Sequence, residues 1–236
     1  MKKTITLALS TLLLFGCASE TITYEEIQEK KDLSIQTEEI IELPEKLILD
    51  VPFMSQAPNS NWDDPYQEAC EEASMIMVYN YLQGVSSISK DEADKQILDM
   101  VAYQDSIGLT YDIDTTEMQR VIKDYYNLES TIITEKSINI ESFKNTLNNG
   151  YPIIIPAQGQ QLNNPNFTNG GPEYHMLVVI GYDDKKQEFI TNDPGTRNGE
   201  KYTYSYDTIM DAIHDWTGDK ATVQFGEKRA LIFESK

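Results

Sequence analysis

The stretch His175-Met176-Leu177-Val178-Val179-Ile180-Gly181-Tyr182 is apolar at nearly every position. Successive side chains of a strand point to opposite faces. An extended chain of this composition needs cover on both sides, which makes it a central strand. The rest of the sequence supplies cover in a set order. Asp64-Pro65-Tyr66-Gln67 opens a helical pattern that runs to about Leu82. Asp64 reads as its N-cap, Pro65 as its first helical residue and Gln67 as the far side of a capping box. Ala69, Ala73, Ile76, Met77 and Tyr81 share one stripe of it, and Gly84 stops it. Ser89-Lys90-Asp91-Glu92 and Asp114-Thr115-Thr116-Glu117 open two further helices, and residues 142–149 form a fourth, closed by Gly150. A short strand at 47–51 precedes them. Strand patterns dominate afterwards, at Pro152-Ile153-Ile154-Ile155, 188–193, 202–206, 222–225 and 230–233, with a short helix at 208–216. Helices first and mostly antiparallel strands later define an α+β fold, with the helix carrying Cys70 packed on the sheet.

The chain of 236 residues begins Met1-Lys2-Lys3, followed by an apolar stretch from Ile5 to Phe15. That stretch is too short to span a membrane and suits a secretory leader. It ends Leu14-Phe15-Gly16-Cys17, which resembles a bacterial lipoprotein box and makes Cys17 the expected lipidation site. Residues 1–17 are therefore expected as a signal peptide, 18–46 as an acidic flexible tether and 47–236 as the folded domain. The expected location is the cell envelope, with the exported chain anchored to a membrane through lipid on Cys17. Each buried acyl methylene would contribute roughly 0.8 kcal/mol. The tether is too polar to offset its ordering entropy, and as a coil it would reach on the order of 30 Å. The alternative for 24–35 is an amphipathic helix. A formal net charge of −20 repels phosphate backbones and excludes nucleic acid as a partner.

The sequence has two cysteines. With Cys17 assigned to lipid, Cys70 is the free thiol that needs a role. Placed in the first two turns of its helix, it would feel a dipole that favours thiolate. Glu68, Glu71 and Glu72 would oppose ionisation, but Tyr66, Gln67, Ala73 and Ser74 are its neighbours at helical spacing. The face around the thiol is therefore expected to be neutral. A hairpin turn centred near Asp184 would place His175 opposite Asp193 with both side chains on one face. A carboxylate there would fix the imidazole tautomer and steady the imidazolium. Cysteine, histidine and an orienting acid make an activated nucleophile. Gln56, with the Cys70 backbone amide, is the candidate donor for a developing oxyanion, and Gln67 is second choice.

Four segments carry a resemblance: Val51-Pro52-Phe53-Met54-Ser55-Gln56, then Cys70 opening a helix, then His175–Asp183, then Asn192-Asp193-Pro194-Gly195. In this order they resemble the bacteriocin-processing (double-glycine) cysteine peptidases and their stand-alone, peptidase C-thirty-nine-like branch of the papain-like clan. The resemblance covers roughly residues 47–235. It implies a papain-like fold and a catalytic set of Cys70 as nucleophile, His175 as base, Asp193 as orienting acid and Gln56 as oxyanion glutamine. Where many members carry Cys-Gly-Pro, this chain has Cys70-Glu71-Glu72. That departure bears on substrate preference.

The expected activity is thiol-dependent hydrolysis of a peptide or amide bond, with a peptide or protein as substrate and no cofactor or metal. Two histidines and two cysteines at these positions make no zinc spacing. Asp112-Ile113-Asp114-Thr115-Thr116-Glu117 lacks the glycine and distal glutamate of a calcium loop. His214 reads as a packing residue. Two other functions fit the same residues. One is a non-catalytic peptide-binding lipoprotein on a peptidase-like fold. The other is a transglutaminase or cell-wall amidohydrolase, which uses the same cysteine, histidine and acid logic.

Overall fold

The computed structural model describes residues 43–233. The expected leader, Cys17 and the tether as far as residue 42 lie outside the described residues. The fold takes in the chain slightly ahead of the expected boundary. The Glu45 carbonyl accepts from Asp184 N at 2.9 Å, and strand β1 is Lys46–Ile48.

Helix α1, Cys70–Leu82, is the hub of the helical half. Ala73, Met75, Met77 and Leu82 favour a helix, and Ala73, Met75, Ile76, Met77 and Val78 are all at most 1% exposed. Buried residues run around the whole circumference of α1, the polar Glu71, Glu72, Ser74 and Asn80 included; it is covered by α2 (Lys90–Ser106) and α3 (Thr115–Tyr126) and packs on β4 (His175–Asp183). Each fully buried Ile or Met contributes about 2 kcal/mol by removal from water. Gly84, at φ +75°, ends α1 as expected. The caps of α2 and α3 are those legible in the sequence. Ser89 accepts from Glu92 N, and Asp114 and Glu117 form a reciprocal box. α4, Ile140–Asn148, starts two residues before the expected 142 because Asn139 rather than a later residue caps it, paired with Ser142.

Among the described residues seven strands form one antiparallel sheet, ordered β2 (Ser130–Thr134), β7 (Arg229–Phe233), β3 (Ile153–Ala157), β4, β5 (Glu188–Asn192) and β6 (Tyr202–Ser205). β1 lies along the far end of β4, with Ile48 opposite Gly181. A Cβ at Gly181 would stand 2.2 Å from the Leu47 carbonyl oxygen, so only glycine admits β1 there. Every residue of β4 is buried, as its two apolar faces require.

Two expectations are corrected. Residues 222–225 are not a strand but part of a 3-10 helix, Lys220–Phe225. The Asp219 carboxylate accepts from Ala221 N and starts a helical turn there. The helix expected at 208–216 is α5, Tyr206–Ala212. It ends early because the next residues pair with the end of β3: Gln158 N donates to Ala212 O at 2.8 Å and His214 N to Pro156 O at 3.2 Å. His214 packs away from the candidate site, its Nδ1 3.0 Å from Gly226 O. β2, which pairs along its length with β7, was not foreseen.

Candidate active site

His175 is the first residue of β4, and its strand partner is Ala157 of β3. The expected register is corrected here. β4 carries a bulge between Val179 and Gly181, and Asn192, the last residue of β5, faces Val178. Asp193 is thus past the end of β5 and not opposite His175 in the ladder. The two side chains nevertheless meet, because Asp193-Pro194-Gly195 turns across the end of the sheet. His175 Nε2 lies 2.8 Å from Asp193 Oδ1, with 2% and 0% side-chain exposure. Gly195 makes this approach possible. A Cβ on it would stand 2.7 Å from His175 Cε1. The Phe167 ring packs edge-on against the imidazole at 5.3 Å.

Asp193 is fully provided with donors. Gly195 N donates to Oδ1 at 3.0 Å, while Tyr204 Oη at 2.5 Å and Asn164 Nδ2 at 3.3 Å donate to Oδ2. Burial alone would raise its pKa, but the His175 charge and the hydrogen bonds from His175, Tyr204 and Gly195 together hold it below the ordinary aspartate value. Since Nε2 faces the carboxylate, Nε2 carries the proton in the neutral ring and Nδ1 is the basic nitrogen.

Gln56 joins this turn to the start of α1. Its backbone N donates to Pro194 O at 3.1 Å. Its side-chain Nε2 donates to Tyr66 O at 3.0 Å and Gln67 O at 2.9 Å. Both amide hydrogens are therefore committed, and Oε1 is buried without a partner. The same bonds explain why the expected Asp64 cap does not form. Tyr66–Glu68 is a 3-10 turn whose carbonyls serve Gln56, and α1 begins only at Cys70, after Ala69 and without a side-chain cap.

That late start places Cys70 differently from the sequence reading. With Cys70 as the first helical residue, 66 and 67 are not one turn below it, and the adjacent Glu71 reaches the sulfur. Sγ lies 3.0 Å from Glu71 Oε2, and no hydrogen bond joins it to His175 among the described residues. Cys70, Glu71 and Glu72 are 5%, 1% and 5% exposed. The expectation of a neutral face is therefore overturned. Burial first, then the charges of Glu71, Glu72 and Asp112 push the thiol well above its ordinary pKa. Burial and Glu72 push Glu71 far up, and burial pushes Glu72 up to about 7. Magnitudes decide which effect governs the sulfur. A helix terminus favours an anion by about 0.3–1 kcal/mol. Two like charges about 3 Å apart repel by roughly 5 kcal/mol at an effective dielectric constant of about 20. Cys70 and Glu71 cannot both be ionised, so the pair holds at least one proton.

The structure thus joins His175 to Asp193 directly and ties Gln56 to both the Asp193 turn and the approach to Cys70. It gives the Cys70 sulfur to Glu71. Tyr204 and Asn164 were missed as partners of Asp193. Tyr204 stands in an alternating strand pattern that gives no hint of a buried hydroxyl. Asn164 lies in the loop that also carries Phe167, where no periodic pattern marks a buried amide.

The model of the Peptidase_C39 like family matches residues 48–222, and the chain belongs to that family. No curated protein matches the sequence. Among solved structures, a C39-like peptidase from Bacillus anthracis is similar, with a TM-score of 0.54 and 20% identity over 82% of this chain and 99% of that one. Xylellain, a cysteine protease from Xylella fastidiosa, aligns with a TM-score of 0.36 and 14% identity over 83% of this chain and 88% of that one. The family and the fold are those of cysteine peptidases, in the α+β arrangement expected from the sequence.

Proposed function

We propose that this chain hydrolyses peptide bonds through Cys70, as an exported enzyme held at a membrane by lipid on Cys17. The observation that carries the reading is the buried His175–Asp193 pair, 2.8 Å apart and locked by Tyr204, Asn164 and Gly195. A buried imidazole with one nitrogen fixed by a carboxylate and the other basic is an oriented proton acceptor. In the proposed reaction the Cys70 proton passes to His175 Nδ1 and the sulfur attacks the substrate carbonyl. The uncapped first turn of α1 supplies the Cys70 backbone N–H to the oxyanion. Gln56 adds its amide once Nε2 turns away from the carbonyls of Tyr66 and Gln67. His175 returns the proton to the leaving amine, and water releases the acyl group from sulfur.

A second reading, peptide binding without catalysis, is favoured by a different observation. The thiol is bonded to Glu71, and the Gln56 donors are occupied. One experiment separates the two. The protein is incubated with a peptide mixture and the products are sequenced by mass spectrometry, beside Cys70→Ala and His175→Ala. Cleavage that both variants abolish supports the enzyme. Retained peptide affinity without any cleavage supports the binder. Transfer to an added amine would move the assignment to a transglutaminase, and release of muropeptides from cell wall to an amidohydrolase.

A further inference from the structure

Three helices meet at the end of α1 away from Cys70. Tyr79 lies nine residues beyond Cys70 on that helix, about 14 Å along its axis. There the last turn of α1, the first half of α2 and the end of α3 line an open cavity of about 460 Å³, within the range of small-ligand pockets, about 300–1,000 Å³. One wall is aromatic. The Tyr79 and Tyr126 rings stack at 3.9 Å and 12°, and Tyr125 meets Tyr126 edge-on at 4.9 Å. Tyr125 is 36% exposed. The hydroxyls of these three tyrosines have no hydrogen bond to protein among the described residues. The other wall is polar. Asn80, 7% exposed, commits both amide hydrogens, to Ile76 O and to Gln96 Oε1, each at 2.9 Å. Gln96 Nε2 donates to Glu92 Oε1 at 3.0 Å, and Lys95 Nζ to Asp99 Oδ2 at 2.7 Å. Asn80 Oδ1, one Gln96 N–H, Glu92 Oε2 and Asp99 Oδ1 are left without a protein partner among the described residues.

We infer that this groove binds an oligosaccharide built of uncharged pyranose rings. A pyranose is apolar on its faces, where C–H groups point outward, and carries hydroxyls around its edge. The aromatic wall offers such a face an apolar platform. Opposite it, the carboxylate and amide oxygens accept from hydroxyls, while the spare Gln96 N–H and the tyrosine hydroxyls donate. Both walls are carried by helices, so donors and acceptors hold their places before a ligand arrives. Rival occupants fit less well. A nucleotide would also stack, but its phosphates would meet Glu92, Asp99 and a net charge of −20. A proline-rich peptide would use the aromatic wall but leave the carboxylates and Asn80 Oδ1 without donors. The groove stands apart from the sulfur, and its ligand does not depend on the peptidase reading.

The test is a titration of the intact protein with tetra-N-acetylchitotetraose, with cellotetraose and with a hepta-proline peptide, followed through backbone amide chemical shifts by NMR. Saturable binding of either sugar is expected, with the largest shifts at residues 79–80, 92–99 and 125–126. The tighter of the two sugars shows whether acetamido or hydroxyl groups are read. Tyr125→Ala should weaken binding by about fivefold or more, the loss of one aromatic contact, and Gln96→Ala by about fivefold, the loss of one hydrogen bond. Cys70 should be alkylated at the wild-type rate in both variants, which shows that the fold is kept. Tyr125→Leu, which keeps apolar bulk without the ring, takes the place of an alanine variant that does not fold, and the wild-type shift map needs no variant. No sugar binding in the millimolar range, shifts centred elsewhere, or equal affinity in wild type and the Tyr125 variant would overturn the assignment. Binding of the peptide in place of the sugars would overturn it too.

Discussion

Asp193 and Glu71 are both buried carboxyl groups beside the same candidate site, yet their surroundings push them in opposite directions. Asp193, 0% exposed, takes hydrogen bonds on both oxygens and sits against His175. Its pKa falls below the ordinary value despite complete burial. Glu71, 1% exposed, has the Cys70 thiol on one oxygen and nothing on the other, with Glu72 and Asp112 nearby. Its pKa rises far above the ordinary value. Burial is common to both, so the difference lies in donors and in the sign of neighbouring charge. The sheet side of the site is set before substrate arrives. The helix side holds buried carboxyl oxygens that no donor meets among the described residues.

The largest effect should come from the satisfied side. Asp193→Ala strands four donors, His175 Nε2, Gly195 N, Tyr204 Oη and Asn164 Nδ2, and should cost about 3–5 kcal/mol in urea unfolding. The gentler Asp193→Asn should lower kcat/KM for peptide hydrolysis by roughly a thousandfold or more, through loss of the imidazole's tautomer and support. A variant within about 1 kcal/mol of wild type would mean that the network holds little.

The next tests the other side of the contrast. A carboxyl whose folded pKa lies above its unfolded value binds its proton more tightly when folded, so its burial costs stability as pH rises. With Glu72 moved from 4.5 to about 7, unfolding free energy should fall between those pH values, by up to about 3 kcal/mol. Glu72→Gln should remove its own share of that fall and leave the share of Glu71, whose pKa is raised well above the ordinary value. Equal slopes for the two proteins between these limits would contradict the assignment.

Tyr204→Phe should cost about 2 kcal/mol at neutral pH, the contribution of a hydrogen bond to a charged group. Asp193 has a lowered folded pKa, so its stabilisation is present above the unfolded value and is lost on acidification. The difference between variant and wild type should accordingly shrink as pH falls below the ordinary aspartate value toward the lowered folded one. The smallest effect is expected for Phe167→Leu. Losing the edge-on contact with the imidazole should cost about 1 kcal/mol, or roughly fivefold in kcat/KM.

Much of the scaffold could be read from side-chain periodicity. The β4 run demanded two covered faces and received them, and the caps at Ser89 and Asp114 follow from residue type and spacing. Glycine at 84 and 150 marked helix ends through positive φ. The site was legible as a set of residues but not as geometry. His175 and Asp193 meet through a turn past the end of β5, whereas the sequence argument used a ladder register that the bulge at Ile180 displaces. The error over Cys70 has a clear source. Helical neighbours three and four apart exist only if the helix has already begun, and Gln56, from a separate loop, takes the carbonyls that would have begun it earlier. That long-range bond leaves no local trace in the sequence, and with it went any warning that Glu71 would touch the thiol.

The most direct measurement is the pH dependence of Cys70 alkylation in the intact protein, followed by mass mapping at that residue, for wild type and His175→Ala. If the imidazole accepts the thiol proton, the variant should react at least about tenfold more slowly near neutral pH, with its midpoint moved upward. Superimposable profiles would mean that sulfur and ring do not communicate, and the catalytic reading of this site would be lost.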